Sequence, residues 1–161
     1  MRHFLAALAY RTQKALRGAS DDFANFDPGN QVRTPKELIR HMTSVLGYSR
    51  TFFIGGSYRP RPLETLSEEV DRFHSMLGLL SKHLADGDPL LNGITEENLL
   101  QGPFSDAMTH AGQLAMLRRL SGEAVPPENF VAADISADRT GISQPDPASP
   151  DAEWPEDPDN T

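Results

Sequence analysis

Helical hydrophobic periodicity recurs in four stretches of the chain, separated by connections rich in turn formers. From about Arg2 to Arg17, Phe4, Leu5, Leu8, Ala9, Gln13 and Leu16 recur at three- and four-residue steps, the spacing that lines one face of an amphipathic helix. Gly18 offers a stop, and "ASDDFANFDPGNQVR" then reads as a long loop. The second helix has the strongest start signal. In "TPKE", Thr34 stands at the N-cap, Pro35 at the first helical position, and Glu37 where its carboxylate reaches back to the cap. That helix runs through "LIRHMTSVLGYSRTFFI" to Gly55-Gly56, with Leu38, Met42, Val45, Leu46, Tyr48, Phe52 and Phe53 as its stripe. A second capping box, Thr65 to Glu68, opens "SEEVDRFHSMLGLLSKHLADG", whose stripe is Val70, Phe73, Leu77, Leu80 and Leu84. A loop with a short helical turn at "TEENLL" leads to Pro103, which primes a fourth helix ending at "LSGE" with Gly122 just past its end.

Four stripes of about three residues in seven predict an all-α four-helix bundle over residues 1–125. Periodicity alone does not choose between alternating and up-down-down-up wiring. After "VPPENF" the character changes. "ISQPDPASPDAEWPEDPDNT" is proline-rich, acidic and nearly devoid of aliphatics, a composition with no core of its own. Residues 126–161 are therefore expected to form an extended Pro-rich acidic tail, laid on the bundle or on a partner, with Trp154 as an anchor.

Composition narrows the function classes. The 161 residues suit one domain, and a formal net charge of −8, much of it in the tail, gives no electrostatic footprint for nucleic acid. The absence of cysteine excludes disulfides, thiolate metal sites and a cysteine nucleophile, and is compatible with a cytoplasmic protein. The start "MRHFLAALAY" continues into helical periodicity and reads as a first helix, not a signal peptide. No apolar run approaches the ~20 residues of a membrane span.

The candidate chemistry lies in "SDAMTHAGQLAMLRRLSG", where Asp106, His110 and Gln113 share the row that continues into Leu117 and Leu120. Helical geometry puts Asp106 and His110 about 40° apart around the axis and one turn apart along it. A carboxylate in that row is exposed at the mouth of the bundle, satisfied by hydrogen bonds, or bound to a divalent cation; an unpartnered buried one would cost several kcal/mol. An i, i+4 pair is what ligation from one helix needs, and His41, on or beside the stripe of the second helix, is the best third ligand. One carboxylate and two imidazoles suit zinc or nickel, with manganese and iron as alternatives. His74, beside Phe73, is a core-edge residue and the reserve ligand. His3 reads as solvated, His83 as a helix-end cation, and Arg118 and Arg119 as a solvated face or helix-end charge.

These segments carry a family likeness. "TPKELIRHMTSVLGYSR" resembles the second helix of DinB-like proteins, in which a histidine follows a proline-started helix, and "DAMTHAGQLAMLRRLSG" is similar to their fourth. The likeness spans roughly residues 4–122. It implies up-down-down-up wiring, a homodimer, and a divalent metal held by His41 and by two residues of the last helix, Asp106 and His110. Asp106 stands where the family usually has histidine, and Ala111 where it usually has arginine. The same likeness implies a metal-dependent transferase or hydrolase acting on a small molecule, with Gln113 expected to orient a ligand. The alternative is a non-catalytic scaffold with a vestigial metal site.

Overall fold

The computed structural model describes residues 1–147. Its four long helices are α1 (Arg2–Leu16), α2 (Pro35–Ile54), α3 (Leu66–Asp86) and α4 (Ser105–Leu120), and no strand occurs among the described residues. Both expected capping boxes form. Thr34 Oγ1 accepts from the Glu37 amide at 3.4 Å while a Glu37 carboxylate oxygen accepts from the Thr34 amide at 3.0 Å, and Thr65 and Glu68 repeat the exchange. Each box satisfies amides at a helix start that has no intrahelical partner to offer them.

The helices meet along α1–α4, α4–α2, α2–α3 and α3–α1. Phe4 stacks on Phe104 and Arg118 reaches the carbonyls of Ala15, Leu16 and Arg17, so α1 and α4 run the same way. Lys36 touches the Glu64 carbonyl and Phe53 stacks on His83, so α2 and α3 also run together. Arg2 meets Ser81 while Gln13 meets His74, which sets α1 against α3. Leu5, Leu8 and Ala9 of α1, Ile39, Met42 and Leu46 of α2, Phe73, Leu77 and Leu80 of α3, and Ala107 and Leu114 of α4 are fully buried in the shared core. Each large aliphatic or aromatic side chain buried this way contributes about 1.5–3 kcal/mol.

The connections are built against this core. The loop after α1 contains a 3-10 turn, Asp21–Asn25, that buries Phe23. Tyr58 lies flat on α2 at Gly47, where any Cβ would fall 2.0 Å from its ring. The "TEENLL" turn forms as a one-turn helix, Glu96–Leu99, capped by Thr95. Pro103 does not sit at a clean helix start; it lies in a five-residue π-helical turn, Leu100–Phe104, kinked at Gly102 and running directly into α4. At the far end, the Glu123 amide donates to the Arg118 carbonyl and the Gly122 amide to that of Arg119, with Gly122 at φ 85°, a Schellman motif.

Three expectations about burial change. Tyr48 is exposed, because α2 turns Gly47 and Ser49, not Tyr48, toward the interior. Leu120 and Gln113 are exposed as well: the inward face of α4 is Ala107, His110, Ala111, Leu114 and Leu117, so the polar row runs along its rim. Arg118 is 4 % exposed and not solvated; besides the α1 carbonyls it donates to the Glu123 carbonyl at 3.0 Å and lies over the Phe23 ring.

From residue 126 to 147 the chain has no helix and lies across α1 and α3. The Tyr10 hydroxyl donates to the buried Glu128, Phe130 packs edge-on against Tyr10, and the Thr140 carbonyl accepts from His74 Nδ1 at 2.7 Å. Arg2 pairs with Asp138, and Arg17 with Asp146 at 2.9 Å. Trp154, the expected anchor, lies outside the described residues. No described helix is long and apolar enough to cross a membrane.

Candidate metal centre

His41 stands on the second turn of α2, two turns after the Thr34 cap, and faces the start of α4. On α4, Asp106 and His110 occupy i and i+4, so their side chains converge. One ligand atom from each of His41, Asp106 and His110 lies within 4.8 Å of the others, and this group could hold a metal ion. His110 Nε2 is 3.4 Å from Asp106 Oδ1, and the His41 and His110 rings meet edge-on with centroids 4.8 Å apart.

The donor set fits a small divalent ion on one side and stands open on the other. Two ligand atoms each about 2.0–2.1 Å from a tetrahedral zinc are about 3.4 Å apart, the separation already present between His110 and Asp106. No separation in the group exceeds that by more than about 1.4 Å, within reach of a side-chain rotation. Neither ring nitrogen of His41 hydrogen-bonds to protein among the described residues, which leaves a nitrogen available as a ligand. Burial lowers the His41 pKa, Arg33 and His110 lower it further, and Asp106 works against them. The imidazole therefore favours its neutral form, the form that ligates.

Gln113 lies one turn beyond His110, and its Oε1 is 2.7 Å from His110 Nδ1. With the carbonyl oxygen as acceptor, Nδ1 carries a proton, and in the neutral tautomer this selects, Nε2 is the nitrogen left to ligate, on the side of Asp106. A hydrogen bond of this kind fixes both the tautomer and the ring orientation of a metal-binding histidine. The burial gradient suits the role: His110 is 8 % exposed, while Asp106 and Gln113 are open to solvent.

The other histidines do not join the group. His74 is held between Gln13 Nε2, at 2.8 Å, and the Thr140 carbonyl, so the reserve ligand is a structural residue. His83 Nδ1 meets Asp88 at 2.6 Å and its ring stacks on Phe53. His3 is exposed.

Two open clefts of about 670 Å³ each flank the group, one lined by His41 and the other by His110 and Gln113. Gln31, Val32 and Arg33 border both. Arg33 was not distinguishable in the sequence, because it lies in a loop without periodicity; its position just before the N-cap Thr34 is the only local signal that fixes it. Comparison with family models, with curated proteins and with solved structures finds no match to this chain.

Proposed function

We propose that this chain is a DinB-like, divalent-metal-binding protein whose centre is His41, Asp106 and His110, and that it is a metal-dependent transferase or hydrolase acting on a small molecule. The observation that carries this reading is the convergence of donors from two helices that are distant in sequence, with one imidazole already oriented by Gln113. Zinc or nickel suits two imidazoles and one carboxylate best. Three protein ligands leave coordination positions for water or substrate, and the flanking clefts give a small molecule access. The metal supplies Lewis acidity, lowering the pKa of a bound water or polarising a substrate atom. His41 and His110 hold it from two helices, Asp106 offsets part of its charge, and Gln113 keeps His110 in the ligating tautomer. The helix directions described above are those that up-down-down-up wiring requires, which supports the family likeness of the second and fourth helices.

A scaffold without metal accounts for Asp106 and His110 as a partly exposed i, i+4 pair, an arrangement worth only a few tenths of a kcal/mol. It leaves the His41 ring, half-buried and unpartnered against His110, without a purpose. Thermal unfolding of chelator-treated protein with added zinc, nickel, manganese or ferrous iron separates the two readings. A ligand bound only by the folded state raises the melting temperature in proportion to RT ln(1 + [L]/Kd). The proposal expects a rise that His41→Ala or His110→Ala abolishes; no rise with any of the four ions leaves only the scaffold.

A further inference from the structure

The charged groups around the His41 cleft are unequally engaged. Asp27 and Glu37 both line it, yet both carboxylates are committed to backbone: Asp27 Oδ1 accepts from the Gly29 amide at 2.8 Å, and Glu37 closes the capping box on Thr34. Arg40 reaches Glu37 only at 4.0 Å. Arg33 has no hydrogen bond or ion pair among the described residues, is exposed, and borders the cleft on the His41 side as well as the one beside His110 and Gln113. Arg33 and the His41 ring line the same cleft. Of the four charged groups that line this cleft, Arg33 is thus the one whose hydrogen-bonding groups are not engaged by protein among the described residues.

Resting on the metal reading above, we infer that the site takes a small molecule bearing a carboxylate, which Arg33 binds while a second donor of the same molecule meets the metal. A guanidinium fork matches a carboxylate bidentately, and its charge-assisted hydrogen bonds are about twice as strong as neutral ones. Because the pair stands at an exposed mouth, added salt weakens it. Arg40, on the first turns of α2 in the same cleft, is paired with Glu37 at 4.0 Å, which leaves Arg33 as the carboxylate's partner.

The test uses the whole chain loaded with cobalt(II), whose visible spectrum reports its ligands, and two probes that chelate the ion through the same hydroxamate. One is succinic acid monohydroxamate; the other is its amide, identical except that the carboxylate is neutral. The expected result is binding of the carboxylate probe about tenfold tighter than the amide. Arg33→Gln should erase that preference while leaving the amide probe unchanged, and Arg33→Lys should keep part of it. Equal affinity for the two probes in the wild-type chain, or a preference that survives in Arg33→Gln, overturns the inference and leaves the metal centre standing. If no cobalt spectrum develops, the metal reading fails and this one falls with it, a result distinct from the other two.

Discussion

Replacing Gln113 by leucine tests whether the centre is organised or merely a coincidence of side chains. Gln113 is exposed and its one described contact is the 2.7 Å bond to His110 Nδ1. Without metal, the substitution should therefore change stability by no more than about 0.5 kcal/mol, as for most surface positions. With metal, loss of the orienting bond should weaken affinity by about 10–100-fold, the usual effect of removing such a partner. For an ion at ~100 μM and a wild-type Kd of ~1 μM, binding adds about 2.7 kcal/mol of stability; the variant would retain about 0.4–1.4 kcal/mol. In a chain of this size that difference is a loss of several degrees, about 2–4 °C per kcal/mol, readable by differential scanning calorimetry. Gln113→Glu should restore most of the shift, because a carboxylate accepts the same Nδ1 proton. A leucine variant that binds metal as tightly as wild type, or a glutamate variant no better than leucine, refutes the tautomer argument.

Other predictions concern the frame. Arg118→Met keeps much of the volume but strips hydrogen bonds from the end of α1 and from the Glu123 carbonyl, so urea unfolding should show a loss of about 2–4 kcal/mol; a change under 0.5 kcal/mol would mean that water replaces the guanidinium. Burial lowers the His74 pKa from an ordinary 6.5, so the folded imidazole stays neutral where the unfolded one takes up a proton. Its contribution is complete above about pH 6.5 and is lost as pH falls through the lower folded value, with a slope of at most about 1.4 kcal/mol per pH unit that His74→Asn should flatten in stability measured from pH 7 to 5. Among the described residues, truncation after Gly141 removes the surface contacts of Arg17 with residues 144–146, which account for under about 1 kcal/mol; a larger loss would assign the rest to residues beyond 147. Truncation after Val125 uncovers Tyr10 and His74 and should cost several times more, unless residues 126–140 contribute nothing to the bundle.

Where structure is decided within a turn or two of chain, the residues disclose it. Thr34-Pro35-Glu37 and Thr65-Glu68 carry their partners three positions away, and Asp106 and His110 converge by helical spacing alone. The phase of α4 was harder to read. Its inward face holds Ala107 and Ala111, too small to mark a stripe against Met108, Met116 and Leu120 on the other sides. Arg118 looks like any helix-end cation in sequence; only the tertiary approach of α1, whose last-turn carbonyls it reaches, draws it inside. Arg33 is legible neither by period nor by motif, since its importance comes from the unequal engagement of the acids around it. The resting place of residues 126–147 likewise depends on Tyr10 and His74, more than sixty positions upstream of their partners.

That last arrangement has a consequence for assembly on the ribosome. Tyr10 is separated from Glu128 by 118 positions and Arg2 from Asp138 by 136, so α1 keeps one flank bare until nearly everything described has emerged. At roughly 5–20 residues per second, that wait is on the order of 6–25 s, far longer than a helix takes to form. During it, the Tyr10 ring is available to chaperones or to a neighbouring nascent chain, and translation speed over residues 126–140 should govern the yield of native protein.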